Sequence, residues 1–79
     1  MKEKNHNAYN VFSSNIKMYR KNLSLTQEQL AEKSNCSSSY IKQIESNKEY
    51  KNVSLSTIIN ICNALDISVA ELFTMESQK

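Results

Sequence analysis

The sequence predicts an all-α fold, a compact bundle of five helices. Apolar residues recur every three or four positions over most of the chain, as they do on one face of an α-helix. Two segments carry a capping box, in which a hydroxyl and a Glu or Gln three residues later satisfy each other's backbone N–H groups. These boxes pair Thr26 with Gln29 and Ser68 with Glu71. No segment alternates apolar and polar residues in the manner of a strand.

The first helix is predicted to run from about residue 8 to residue 21, with one apolar stripe at helical spacing. The stripe consists of Val11, Phe12, Ile16 and Tyr19. Residues 1–7 are polar and are expected to form a flexible N-terminal arm, which is either a basic arm that contacts a nucleic-acid backbone or a frayed terminus. The folded domain is then residues 8–74, and residues 75–79 form a short tail.

The centre of the chain predicts two short helices, residues 27–34 and 38–46, joined by a tight turn. Thr26 and Ser37 are suited to cap these helices, because a hydroxyl accepts a hydrogen bond from an otherwise unpaired backbone N–H. Two helices that cross steeply need a small residue at their contact, and Ala31 is placed to supply it.

The turns of this chain depend on Asn, because the sequence contains no Gly and no Pro. Asn tolerates a positive φ better than most residues do. Asn22, Asn35, Asn47 and Asn52 all fall at expected helix ends. Cys36, which follows Asn35, is expected to plug the turn between the second and third helices with an apolar side chain.

The fourth helix is predicted over residues 55–65, with Ser54 as its cap. Its apolar positions cover more than one stripe, so it is expected to be buried on two sides, with a partner protein as one candidate for the second side. The fifth helix opens at Ser68 and contains Val69, Leu72 and Phe73.

Composition bounds the class of protein. A chain of 79 residues makes one domain, and 39% apolar with 23% charged residues is ordinary for a soluble globular protein. No apolar run approaches the length of a membrane span, and the N-terminal segment lacks the apolar core of a signal peptide, so a cytoplasmic location is expected. Cys36 and Cys62 are interpreted as reduced core residues.

From the side chains present, we expect no metal site, no cofactor and no enzymatic activity. A metal site needs several ligands at close spacing, and the one histidine, His6, lies in the polar N-terminal segment. The sequence contains no carboxylate pair, no nucleophile with a base and no Gly-rich phosphate loop.

The net charge of +2 is unevenly distributed. Residues 1–51 hold nine Lys or Arg and five acids, a net charge of +4, and residues 52–79 hold one Lys and three acids, a net charge of −2. This asymmetry is interpreted either as two surfaces with different partners or as scatter in a small chain.

The outward face of the predicted third helix is polar, with one cation and no acid. Its residues are Ser38, Ser39, Lys42, Gln43 and Ser46. An α-helix fits the major groove of DNA, where such side chains can reach base edges and phosphates. The alternative is an ordinary solvated face.

Residues 15–73 resemble the Cro and phage-repressor type of helix-turn-helix domain, the Xre-like family of bacterial and phage transcription regulators. The matching motifs are LTQEQLA, SxSYIKQIE and NVSLSTIINICNALDISVAELF, in this order and spacing. The resemblance implies a five-helix fold of the lambda-repressor type. The sequence departs from the family's frequent Gly at Asn35, Asn47 and Asp66 and from its frequent Pro at Val53.

The resemblance implies DNA contacts from the two central helices and the loop that follows them. The base-reading positions are Ser38, Ser39 and Lys42, with Gln43 beside them. Gln27 is where the family commonly contacts a phosphate and braces the recognition helix. Further DNA contacts are implied for Ser37, Tyr40, Asn47, Lys48 and Lys51.

The resemblance also implies a salt bridge between Arg20 and Glu45, which would hold the recognition helix at its angle. The recognition helix carries no Arg, so the bidentate contact of Arg with guanine is missing there. Readout is expected to depend on Lys42, serine hydroxyls, water and the shape of the DNA.

Members of this family typically bind palindromic sites as two-fold dimers, with recognition helices one DNA turn, about 34 Å, apart. The expected interface is the C-terminal apolar stretch, whose alternative role is to close the core of the monomer. Its residues are Leu65, Ile67, Val69, Leu72 and Phe73.

The resemblance thus predicts a sequence-specific transcription regulator whose partners are double-stranded DNA and a second copy of the chain. Phage repressors, antitoxin components and restriction–modification controllers are the subgroups of this length, and the segments KSN and NKEYKNVS look similar to the controllers. The alternative is a protein-interaction module of the same fold, which binds a partner protein instead of DNA.

Overall fold

The computed structural model describes residues 2–46 and 53–74, with side chains from residue 9 onward. The described ranges contain five α-helices and no strand, so the all-α prediction is confirmed. The helices are α1 (Lys2–Asn22), α2 (Gln27–Lys33), α3 (Ser38–Ser46), α4 (Leu55–Leu65) and α5 (Val69–Leu72). Over the part of the chain described, none of them is both long and apolar enough to cross a membrane.

The first helix begins at Lys2, well before the expected start at residue 8. The predicted start of the first helix is therefore corrected from residue 8 to Lys2. The arm was expected because residues 1–7 contain few apolar side chains. A lack of apolar side chains indicates that a segment does not pack against the core, but it does not prevent the segment from being helical. The segment contains no Gly, no Pro and no β-branched residue, and its Lys and Glu are good helix formers, so the helix continues outward from its packed part.

Both predicted capping boxes are present. The Thr26 hydroxyl accepts a hydrogen bond from the Gln29 N–H at 3.0 Å, and the Gln29 side chain accepts one from the Thr26 N–H at 2.8 Å. Ser68 and Glu71 repeat the arrangement at 3.0 and 2.8 Å. α2 ends at Lys33, one residue before the predicted end.

Three left-handed residues end α1, α2 and α4: Ser24 at φ 59°, Asn35 at φ 60° and Asp66 at φ 60°. In each case the residue that follows folds back and donates its N–H to a carbonyl in the last turn, at 2.9–3.1 Å. Those residues are Leu25, Cys36 and Ile67, all partly buried against the core. The prediction for Asn35 is confirmed. The helix end predicted at Asn22 is confirmed, but Ser24, two residues later, adopts the left-handed conformation that was expected of Asn.

One hydrophobic core holds the helices together. α2 packs on α3 and α4, α1 packs on α3 and α5, and α4 packs on α5. The buried apolar residues are Phe12, Ile16, Leu30, Ala31, Ile41, Ile44, Ile61, Cys62, Leu65 and Leu72. α4 was expected to be buried on two sides. Within the described ranges only one side is covered, because Leu55 is 67% and Ile59 is 42% exposed.

Candidate nucleic-acid interface

α3 lies with its apolar side in the core and its polar side at the surface. Ile41 and Ile44 are fully buried. The buried Ser13 hydroxyl of α1 donates a hydrogen bond of 2.8 Å to the Ile44 carbonyl, which adds a polar contact to the packing. The exposed residues of α3 are Ser39, Lys42, Gln43 and Ser46, and Ser38 and Tyr40 are half-buried.

The N-terminus of α3 is capped by Ser37, whose hydroxyl accepts a hydrogen bond from the Tyr40 N–H at 3.1 Å. This cap leaves the hydroxyl proton of Ser37 available to an outside acceptor, because the oxygen is the atom engaged. Tyr40 packs partly against the core, and burial raises the pKa of its hydroxyl.

A buried ion pair connects α1 to α3. Arg20 donates from Nε to Glu45 Oε2 at 2.7 Å and from Nη2 to Glu45 Oε1 at 3.0 Å. Arg20 also donates a hydrogen bond of 2.7 Å from Nη1 to the Leu25 carbonyl, which stabilises the turn after α1. The hydrogen bonds to the Glu45 carboxylate outweigh desolvation and raise the pKa of the Arg20 guanidinium.

Gln27 joins the same carboxylate from α2. Its side-chain amide donates to Glu45 Oε1 at 3.0 Å. Glu45 therefore accepts hydrogen bonds from α1 and from α2, and these two helices set the direction of α3. The bracing contact that the resemblance implies for Gln27 is present in this form.

Lys42, the one cation on α3, has a partner that the sequence reasoning missed. Its Nζ lies 3.6 Å from Oε2 of Glu28 on α2, and both side chains are more than half exposed. The polar face of α3 has no acid of its own, but α2 supplies one beside it. The signal was available in principle, because Glu28 follows Gln27, which was expected to lie against α3.

The loop residues Asn47, Lys48 and Lys51 lie outside the described residues, and so does the expected turn at Asn52. Their DNA contacts stay a prediction.

The predicted interface residues divide into two groups. Leu65 and Leu72 are buried in the core of the monomer, which is the alternative role, and they are not available to a partner. Val69 and Phe73 are 41% and 39% exposed, and Ile67 is half-buried. The Phe73 ring stacks on Phe12, with centroids 5.5 Å apart.

Asn15 is a further connection that the sequence reasoning missed. Its buried amide donates to the Leu72 carbonyl at 2.8 Å and to the Thr74 carbonyl at 2.9 Å. α1 thus holds α5 through Asn15 and α3 through Ser13 and Arg20. Its position next to Ile16, on the edge of the apolar stripe, was the available signal.

The chemistry of this surface is that of hydrogen-bonding recognition. The described residues contain no group of three or more His, Cys, Asp or Glu side chains that could hold a metal ion. Cys36 and Cys62 are free thiols, and burial raises the pKa of Cys62. Hydroxyl, amide and ammonium groups on a firmly held helix suit the donor and acceptor pattern of a major groove.

Comparisons with known proteins agree with this geometry. A family model described as helix-turn-helix (HTH_3) matches residues 16–72. The chain is 39% identical over 69 residues to the control protein C.SmaI of Serratia marcescens, covering 87% of this chain and 80% of that protein. It is 45% identical over 62 residues to an immunity repressor protein of Bacillus phage phi105, covering 78% of this chain and 42% of the repressor, which is less than half of its length.

Among solved structures, the chain is similar to the restriction-modification controller protein C.AhdI from Aeromonas hydrophila. The TM-score is 0.73 at 36% identity, and the match covers 80% of this chain and 92% of that one.

Proposed function

We propose that this chain, which belongs to the helix-turn-helix family of DNA-binding transcriptional regulators, binds DNA as a two-fold dimer. Its operator would be palindromic, with α3 of each copy in the major groove. The membership confirms the resemblance to the Xre-like regulators, and the matched relatives are controller and repressor proteins of bacteria and phage. The dimer, the operator symmetry and the residue roles are the proposed part.

One observation carries the proposal: a polar helix face is presented at the surface by a buried polar network. A solvated face with no partner needs no fixed direction. Here the Glu45 carboxylate binds Arg20 and Gln27, so α3 is held from two helices. Such support is what base recognition needs, because hydrogen bonds to base edges require side chains placed within a fraction of an ångström.

The proposed readout combines a few direct contacts with recognition of DNA shape. Ser38, Ser39, Lys42 and Gln43 reach base edges, where hydroxyls and amides can both donate and accept. Backbone contacts come from Gln27, Ser37, Tyr40, Asn47, Lys48 and Lys51. With no Arg on this face, a large share of the discrimination comes from sequence-dependent deformation of the DNA.

The proposed dimer uses the exposed Val69 and Phe73 of the C-terminal stretch together with the half-buried Ile67. A second copy related by a two-fold axis at α5 would cover these side chains and place two α3 helices on one side of the DNA. Exposed apolar groups of this size on a small domain favour a partner surface.

The proposed cellular role is control of a restriction–modification system. C.AhdI is a restriction-modification controller protein and C.SmaI is a control protein, and the chain covers 92% and 80% of them. The alternatives are a DNA-binding antitoxin and a protein-interaction module. The interaction module is favoured by one observation, the pairing of Lys42 with Glu28, which lowers the net charge of the recognition face.

Selection of bound sequences from random duplex DNA tests the proposal. The expected result is an enriched palindrome with half-sites one helical turn apart. Enrichment of a single half-site would overturn the dimer. No enrichment, together with no salt-dependent affinity for any duplex, would overturn DNA binding in favour of the interaction module.

A further inference from the structure

Two charge contacts run in parallel between α3 and the helices that support it. The inner contact is the buried pair of Arg20 with Glu45. The outer contact is the exposed pair of Lys42 with Glu28, at 3.6 Å. Lys42 and Glu45 are three residues apart on α3, so they lie on neighbouring positions of the same side of the helix.

The four side chains form one neutral cluster at the edge of the proposed DNA surface. The negative charge of Glu28 extends to Arg20, where it contributes to the raised pKa of the guanidinium. Two cations and two carboxylates cancel. The recognition helix, whose one basic residue is Lys42, therefore offers DNA no uncompensated positive charge while Glu28 stays in place.

The outer pair is weak enough to be displaced. Exposed ion pairs change an equilibrium constant by a factor of up to about five, because water and salt screen them. A well-placed acceptor on DNA can take Lys42 from Glu28. On a DNA segment that offers only loosely positioned phosphates, Lys42 adds less to the binding affinity, because those phosphates must first displace the carboxylate of Glu28.

We propose that Glu28 is a specificity-determining residue: it occupies Lys42 as an internal counter-ion, so that Lys42 strengthens binding only at sites whose acceptors displace the carboxylate. This inference rests on the proposed function, DNA binding through α3. Glu28 acts through Lys42 and does not itself read the DNA.

The test compares six proteins: the wild type, the single variants Glu28→Gln, Glu32→Gln and Lys42→Gln, and each Glu variant combined with Lys42→Gln. Each is measured on a selected operator duplex and on an unrelated duplex. Fluorescence anisotropy at several salt concentrations gives affinities and salt slopes. Glu32→Gln is the matched control, because it removes the same charge from an exposed position one turn further along α2. Thermal unfolding checks that each variant is folded.

The expected result is a two- to fivefold gain for Glu28→Gln on the unrelated duplex at low salt, and a smaller gain on the operator. The ratio of the affinity for the operator to the affinity for the unrelated duplex therefore falls. In the Lys42→Gln background the gain disappears. Glu32→Gln gives a smaller gain that persists in that background.

Four results would overturn the inference. A gain that survives in Lys42→Gln, or that equals the gain of Glu32→Gln, would be a general effect of net charge. A loss confined to the operator would mean that Glu28 reads a base donor directly. If the wild type bound neither duplex, the proposed function itself would fail, and this inference with it.

Discussion

Asn15 of α1 donates a buried hydrogen bond of 2.8 Å to the carbonyl of Leu72, the last residue of α5. The same amide donates to the Thr74 carbonyl at 2.9 Å, so both of its protons reach the end of the C-terminal helix. The earlier carbonyls of α5 accept hydrogen bonds from the backbone N–H groups of Phe73 and Thr74, but the helix ends at Leu72, so no further turn supplies donors beyond that point. Asn15 supplies the missing donors from α1, the helix that also holds α3.

Asn15→Ala should therefore lower the free energy of unfolding by about 1–3 kcal/mol, because it leaves the buried carbonyl of Leu72 without its donor. Asn15→Asp should cost more at neutral pH, because a carboxylate would face the carbonyls of Leu72 and Thr74. Urea unfolding measures both. Ser14→Ala, an exposed neighbour on α1, serves as control and should change stability by less than about 0.5 kcal/mol. Equal losses at positions 14 and 15 would refute the role given to the amide.

Glu45→Ala should cost about 3–5 kcal/mol of unfolding free energy, because it leaves the Arg20 guanidinium buried without its counter-charge. Replacing both partners by Met should recover much of this loss, because an apolar pair needs no desolvated charge. DNA affinity should not recover in the double variant, since Gln27 would still lack its acceptor. Chemical denaturation and operator binding measure the two effects separately, and a double variant that binds as the wild type does would contradict the bracing role.

Local chemistry made part of this fold predictable from the sequence. Thr26 with Gln29 and Ser68 with Glu71 specify helix starts within four residues, and both boxes are present. The left-handed turn at Asn35 was predictable for the same reason. Ser24 was not, because Ser has no special tolerance of positive φ, and its conformation is imposed by the packing of Leu25 beyond it.

Contacts between helices were harder to predict than helix ends. The pair of Lys42 with Glu28 depends on the crossing of α2 and α3, and its one signal in the sequence is that Glu28 follows Gln27, which was expected to lie against α3. Leu65 and Leu72 were ambiguous for a similar reason, because an apolar residue can serve the core or a partner equally well. The Arg20–Glu45 pair was reached through the family resemblance and not through spacing.

Ser24→Gly should raise the free energy of unfolding by about 0.5–1 kcal/mol. A non-Gly residue in the left-handed region costs about 1–2 kcal/mol, and the entropy that Gly loses on folding offsets part of the gain. Asn35→Gly should gain less, because Asn tolerates this region better. Lys21→Gly, in the last turn of α1, should instead destabilise by a similar amount. Thermal or urea unfolding ranks the three, and the prediction fails if Ser24→Gly is no better than Lys21→Gly.

Alkaline pH should weaken the fold through Cys62. Burial raises the pKa of its thiol above the ordinary value of 9.0, so the folded state keeps the proton longer than the unfolded state does. The protonated thiol makes its full contribution to the free energy of unfolding below pH 9, and this contribution is lost as the pH rises through the pKa of the folded state. Tyr40 adds a second loss above its ordinary pKa of 10.0. Urea unfolding from pH 7 to 10.5 should show a shallower decline for Cys62→Ala than for the wild type, and parallel curves would refute the assignment.

Val69→Asp tests the proposed dimer without disturbing the monomer. Val69 is 41% exposed and is the first residue of α5, where the helix dipole favours an acid, so the fold should tolerate the change. A charge in the proposed interface should shift sedimentation to the monomer and lower operator affinity about a hundredfold or more, because two half-sites would no longer be bound together.

Leu55→Asp is the matched control for this variant. Leu55 is likewise the first residue of its helix, α4, and is 67% exposed, but it lies outside the proposed interface. It should leave both the oligomeric state and the operator affinity unchanged. If Leu55→Asp dissociated the dimer and Val69→Asp did not, the interface would lie on the exposed side of α4, where Ile59 continues the apolar surface one turn later.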